Sequence, residues 1–183
     1  MKPGQYATVE DLYRTPGKAE LVDDRLVVME PTGGLPGYAA SRILESLMEY
    51  ADRNQSGYAV GDNVGFLVDL PHRKSFCPDV SYYTGRLTMK FLEGAPIFAV
   101  EVRSEHDYGS RSEEAMARKR ADYFAAGTQV VWDVDLLSDD VVRVYRPTAP
   151  EQPTVYRRGQ RAEAEPALPD WRFPVDALFP EER

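Results

Sequence analysis

The sequence predicts an α/β fold, a mixed central β-sheet flanked by helices, and three stretches predict it. Ile97-Phe98-Ala99-Val100-Glu101-Val102-Arg103-Ser104 is a run of large apolar residues dense enough for a buried strand. Residues 113–126 read as a helix that runs into a second apolar strand, Val130-Val131-Trp132-Asp133-Val134. Between 38 and 54, Ala39, Ala40, Ile43, Leu44, Leu47, Met48 and Ala51 recur at spacings of three and four, the period of an amphipathic helix.

The 183 residues are the length of one domain, large enough to bury roughly 70% of the unfolded chain's surface. Residues 1–183 are therefore expected to form a single unit, with a hairpin at 19–30, a core at 38–147 and a C-terminal hairpin and packed tail at 148–183. Hydrophobic residues make up 43% and charged residues 28%, and no repeat or low-complexity tract interrupts them. The net charge of −8 argues against a general nucleic-acid coat protein, whose affinity comes from phosphate neutralisation. It leaves room for an enzyme with a local basic cleft, since a metal site is itself acidic. A single cysteine, Cys77, excludes an intramolecular disulfide framework and a four-cysteine zinc site. The opening Met1-Lys2-Pro3-Gly4-Gln5-Tyr6 lacks the apolar core of a signal peptide. No apolar stretch approaches the length that spans a bilayer, so a cytoplasmic protein is expected.

In chain order, Thr8 and Asp11 are spaced as a capping box for a short helix that Pro16-Gly17 ends. Ala19-Glu20-Leu21-Val22 and Arg25-Leu26-Val27-Val28-Met29 flank Asp23-Asp24, as in a two-residue hairpin. Residues 31–37, rich in Pro and Gly, read as a loop, and Ser56-Gly57 stops the helix that follows. Val64-Gly65-Phe66-Leu67-Val68 is a strand leading into the basic loop Pro71-His72-Arg73-Lys74-Ser75. Phe76-Cys77-Pro78-Asp79-Val80-Ser81-Tyr82-Tyr83 reads as one further strand. Gly127 stands where a C-cap glycine ends the 113–126 helix. Strands at 129–135 and 141–145, a last hairpin with Thr154-Val155-Tyr156, and a packed tail with Trp171, Phe173, Val175, Leu178 and Phe179 complete the chain.

Glu101 is a carboxylate inside an apolar strand, costly to bury without compensation. Asp79 is an acid on the neighbouring strand candidate. On a wheel of 113–126, Met116, Tyr123 and Ala126 share a face that includes Lys119, while Glu114 and Arg118 lie opposite. Because side chains alternate along a strand, Asp79 and Glu101 can lie side by side beneath Lys119. Two carboxylates and the carbonyl of Val102 are hard oxygen donors suited to Mg²⁺, which keeps waters and bridges to phosphate. Lys119 would orient the attacking water or stabilise developing charge. The same residues would also make a buried ion pair without chemistry, and spacing alone leaves both open.

Pro78-Asp79, then Phe98-Ala99-Val100-Glu101-Val102-Arg103-Ser104, then Lys119-Arg120-Ala121-Asp122-Tyr123-Phe124-Ala125-Ala126-Gly127, then Val131-Trp132-Asp133-Val134-Asp135 resembles the Uma family of putative restriction endonucleases, within the PD-(D/E)XK nuclease superfamily. Glu20-Leu21-Val22-Asp23-Asp24-Arg25-Leu26 and Met29-Glu30-Pro31 look like that family's opening hairpin, so the resemblance runs over residues 19–147. It implies a restriction-endonuclease-like core, a divalent metal (Mg²⁺, or Mn²⁺) and nucleic acid, DNA above all, as substrate. Asp79 and Glu101 match the two metal-binding acids, and Glu20 matches a further acid. The usual lysine two residues after the second acid is replaced by Arg103, and Lys119 matches the helix-borne lysine. Arg103 is always protonated and cannot be a base; it would clamp a phosphate or a carboxylate. Where family members often carry a histidine before the first long helix, this chain has Leu35-Pro36-Gly37.

His72 and His106, in polar loops, read as solvated residues. Ser104 would cap the next turn or touch phosphate, and Arg73, Lys74, Arg111 and Arg120 would form a positive rim, while Arg118 reads as part of a solvated helix face interleaved with Glu113 and Glu114. Tyr123 and Trp132 read as core. The Ile43-Leu47-Met48 stripe fits ordinary packing or a partner subunit, a homodimer being usual for nucleases that cut both strands.

Overall fold

The computed structural model describes residues 6–181, so the opening residues 1–5, read above as lacking a leader's core, lie outside it. The Thr8 hydroxyl accepts from the Asp11 N–H, and the Asp11 carboxylate accepts from the Thr8 N–H at 2.9 Å. This closes the expected capping box on helix α1 (Val9–Arg14). Strands β1 (Ala19–Val22) and β2 (Arg25–Val28) pair with Val22 opposite Arg25. Asp23 and Asp24 both adopt left-handed φ, 48° and 57°, the backbone of the tight turn that matches strand twist.

Helix α2 (Gly34–Asn54) begins inside the stretch expected to be a loop. Pro36 falls in its first turn, where a missing N–H removes no helical hydrogen bond; the composition that signalled a loop suits a helix start equally well. Ile43 and Leu47 are fully buried while Met48 is 54% exposed, so the expected stripe splits between core and surface.

The chain continues through β3 (Tyr58–Val60), β4 (Phe66–Leu67), β5 (Ser75–Phe76), β6 (Val80–Tyr83), β7 (Leu92–Glu93), β8 (Phe98–Val102), α3 (Ser110–Ala125), β9 (Val130–Val134) and β10 (Val142–Arg146). It ends with β11 (Ala149–Tyr156), β12 (Arg161–Ala164), β13 (Leu168–Pro174) and a 3-10 turn, Val175–Leu178. The central sheet has the order β11-β10-β9-β8-β6-β3 and is mixed: β8 and β9 run parallel, every other pair antiparallel. The single strand expected over 76–83 is instead two strands in two sheets, β5 at the edge of a small sheet of order β5-β4-β7, and β6 in the central sheet. Pro78 has no N–H to add to a ladder, and the chain changes sheets across Cys77-Pro78-Asp79.

The central sheet separates two cores. Val80, Tyr82, Phe98, Val100, Trp132 and Val144 pack with α2, the β12–β13 hairpin and the 3-10 turn. On the opposite face Ala99, Val131 and Tyr83 pack with Phe66, Phe76 and Tyr123 of α3. Alternation therefore turns Glu101 toward α3, because Val100 and Val102 face α2.

At the end of α3 the Thr128 N–H donates to the Tyr123 carbonyl at 3.0 Å and the Gly127 N–H to the Phe124 carbonyl at 3.1 Å, the paired bonds of a Schellman cap. Gly127 has φ 105°, and a Cβ there would meet nothing within 4 Å. Gly127→Ala should thus lower stability through the backbone alone, by about 1–2 kcal/mol; urea denaturation measures it, and an unchanged midpoint would refute this account of the cap.

Candidate active site

Antiparallel register puts Val80 opposite Val100, and hence Asp79 opposite Glu101. The Asp79 N–H donates to the Val100 carbonyl at 3.1 Å, and the Val102 N–H donates to Asp79 Oδ2 at 2.7 Å. In a strand the N–H and C=O of one residue point to the same edge, so the Val102 carbonyl is directed to the Asp79 side. From α3, Lys119 Nζ lies 2.8 Å from Glu101 Oε1 and 2.8 Å from Glu20 Oε1. The expected acids, Asp79, Glu101 and Glu20, and the expected lysine are thus brought together on the floor of one cleft of about 1020 Å³.

Glu20 is no surface hairpin residue: it is 4% exposed. Its Oε1 also accepts from the Cys77 N–H at 2.9 Å, and Oε2 accepts from Arg73 Nη1 at 2.5 Å. The Arg73 Nε donates to Asp122 Oδ2 at 2.7 Å, and His72 Nε2 lies 2.6 Å from Asp122 Oδ1. His72, expected to be solvated, is therefore half-buried on a carboxylate, whereas His106 is exposed as expected. Tyr123 is core, as read, but its hydroxyl also donates to Glu101 Oε1 at 2.7 Å.

Several site residues escaped the sequence reading. Lys18 Nζ donates to Asp79 Oδ1 at 2.5 Å and lies 2.7 Å from Asp62 Oδ1. A signal for Lys18 did exist: on β1, Ala19 and Leu21 face the small core around α1, so the residue two before Glu20 must share its face. Asp122 stands three residues from Lys119 on one helix face. Arg73, expected on a positive rim, is instead buried between Glu20 and Asp122, a role with no local signal because these partners are 53 and 49 residues away.

Arg103 and Ser104 do other work. Of the two partners expected for Arg103, the structure has the carboxylates. The guanidinium makes two 2.8 Å bonds to Asp133, through Nε and Nη2, and also pairs with Glu113. Ser104 joins a turn through its backbone, its N–H donating to Asp107 Oδ2 at 2.7 Å. Arg118, read as a solvated face, pairs with Asp23 and ties α3 to the hairpin.

Burial opposes the charge of Lys119, but Glu101 and Glu20 outweigh it and hold the ammonium above its ordinary pKa; Lys119 is a donor and not a base. Burial also opposes the charge of Glu20, and Lys119 and Arg73 outweigh it, keeping that carboxyl below its usual range. For Glu101 burial wins, with Asp79 and Glu20 adding repulsion, and its pKa is raised. Burial pushes the Cys77 thiol up to about 12, which removes it as a nucleophile at neutral pH.

The residues fit a Mg²⁺-type cation. Both partners of Glu101 fall on Oε1, leaving Oε2 without one among the described residues. Asp79 and the directed Val102 carbonyl complete a small set of hard oxygens, as an ion that keeps waters and takes phosphate requires. Among the described residues no group of three or more His, Cys, Asp or Glu side chains is placed to hold a metal ion, so a cation here would rest on two carboxylates, the Val102 carbonyl and water.

The family described as "Putative restriction endonuclease", Uma2, matches residues 6–176. The chain belongs to the Uma2 family. A crystal structure from Anabaena variabilis, described as a putative nuclease belonging to DUF820, superposes with a TM-score of 0.74 at 17% identity, covering 94% of this chain and 97% of that one. No curated protein matches the sequence. Family and fold together make this Uma2 chain restriction-endonuclease-like. No helix among its described residues is long and apolar enough to cross a membrane.

The two glutamates of this Uma2 site should respond oppositely to loss of charge, in metal-free buffer. Glu20→Gln leaves Arg73 buried with an unfilled partner and should cost about 3 kcal/mol. The stabilisation Glu20 provides is complete above its ordinary pKa of about 4.3 and drains as pH falls through the lower folded value. Glu101→Gln removes a charge that burial disfavours, so its Tm should equal or exceed that of the parent. Thermal melts at neutral pH decide it; equal destabilisation by both would refute the asymmetry.

Proposed function

We propose that the protein is a Mg²⁺- or Mn²⁺-dependent endonuclease hydrolysing DNA phosphodiester bonds. The observation that carries this reading is the convergence of Asp79, just before β6, and Glu101, facing it on β8, beneath Lys119 in one open cleft. Asp79, Glu101 and the Val102 carbonyl would hold the cation. Bound there, it supplies Lewis-acid polarisation of the phosphate and a water of lowered pKa. Lys119 donates toward the phosphate oxygens as negative charge gathers on them. Glu20, fixed by Arg73 and the Cys77 amide, holds Lys119 in place. Tyr123 fixes the Glu101 carboxylate from one side, leaving the other oxygen to the cation. A duplex cut on both strands takes two such clefts, which a homodimer in the cytoplasm would supply.

One observation favours a second reading. Asp79 and Glu101 each already have an ammonium partner, as in a nucleic-acid- or protein-binding member of the fold whose charges are structural.

Plasmid and oligonucleotide cleavage with Mg²⁺ and Mn²⁺ separates the two. Metal-dependent nicking should fall by about a hundredfold or more in Asp79→Ala, Glu101→Ala and Lys119→Ala, with circular dichroism unchanged. Absence of cleavage together with absence of metal binding would replace the nuclease by the binding module.

A further inference from the structure

The two ammonium groups of the cleft are not equivalent toward a cation. Lys119 takes Glu101 Oε1 and Glu20 Oε1, and leaves Glu101 Oε2 without a partner among the described residues. Lys18 instead sits 2.5 Å from Asp79 Oδ1. The other oxygen of Asp79 already accepts the Val102 N–H, so Lys18 covers the oxygen that remains for a ligand.

A Mg²⁺ ion bonds oxygen at about 2.0–2.1 Å. An ammonium and a divalent ion on the same carboxylate oxygen would repel strongly in a site screened this poorly from its own charges. The Lys18 side chain is 13% exposed and has a second acceptor at 2.7 Å, Asp62, which is 47% exposed. Asp62 therefore offers a wetter position into which the ammonium can withdraw without losing its hydrogen bond.

We propose that Lys18 is a tethered competitor for the metal position at Asp79, a positioning residue whose ammonium occupies the ligand oxygen until a divalent cation drives it toward Asp62. This rests on the metal reading above. It makes the affinity for free cation deliberately low and spares Asp79 from being a bare buried charge when no cation is bound.

The test is Mn²⁺ binding to the full chain, read by the loss of the free-ion electron paramagnetic resonance signal. Lys18→Gln should bind Mn²⁺ about ten- to a hundredfold more tightly than the parent, the scale on which groups around the ligands tune metal affinity. Lys18→Arg, which keeps the charge, should bind as weakly as the parent. Asp62→Asn leaves Lys18 with Asp79 alone and should weaken binding, an effect that disappears when Lys18 is already Gln. Asp62 is exposed enough for that variant to report even where Lys18→Gln folds poorly.

Unchanged or weaker affinity in Lys18→Gln, with binding still abolished by Asp79→Asn, would overturn the role of Lys18 and leave the metal site standing. Tight binding by both Gln and Arg variants would overturn it too, since packing and not charge would be responsible. Binding by none of the proteins would overturn the metal reading and this inference with it.

Discussion

Lys119 Nζ sits between a carboxylate of the opening hairpin and a carboxylate of the central sheet, 2.8 Å from each. Removing Glu20 would leave two largely buried cations, Lys119 and Arg73, short of a partner, and removing the ammonium would leave two acids facing each other in a poorly solvated cleft. The arrangement of hairpin, sheet and α3 follows from meeting this requirement. Arg73 extends it by bridging Glu20 to Asp122, so the hairpin is tied to α3 three times, through Lys119, through the Arg73 guanidinium and through Arg118 on Asp23. A second group, Arg103 with Asp133 and Glu113, fixes the start of α3 to β9 in the same way.

Charges of this density come at a cost in stability that apolar packing elsewhere offsets. In the core under α2, Trp132 and Trp171 pack on each other, and each packs on Phe98 and Phe173. All of the site chemistry lies on the opposite sheet face. One face of the sheet therefore stabilises the fold while the other holds groups whose charges the fold alone would not favour, a division expected where a site is built on a rigid scaffold.

The sheet strands and both long helices were legible because their signals are local: apolar runs at 97–102 and 130–134, and three-four spacing at 38–54. Asp79, Glu101 and Lys119 were legible for the same reason, each being a charge at a position where pattern demanded an apolar residue. The strand expected over 76–83 failed because apolar residues on both sides of Pro78 satisfy a single period while belonging to two sheets. Helix α2 started early because Pro and Gly signal loops and helix N-termini alike. The carboxylate partners of Arg73 and His72 were beyond reach, since they depend on contacts between segments some fifty residues apart. The three central charges stood out in sequence pattern, their assignment to a site in a restriction-endonuclease-like fold came with the family resemblance, and their supporting shell came only from tertiary geometry.

The Schellman cap that closes α3 has a consequence for how related sequences can diverge. Only four residues, 126–129, separate the helix from β9, which lies parallel to β8 and opposite Glu101 at Asp133. A single residue inserted or deleted inside α3 between Lys119 and this cap would turn Lys119 by about 100° about the helix axis and carry it off the acids, whereas the turn at 137–139 touches none of them. Length variation should therefore accumulate at the second place and be absent from the first in any homologue that keeps the site.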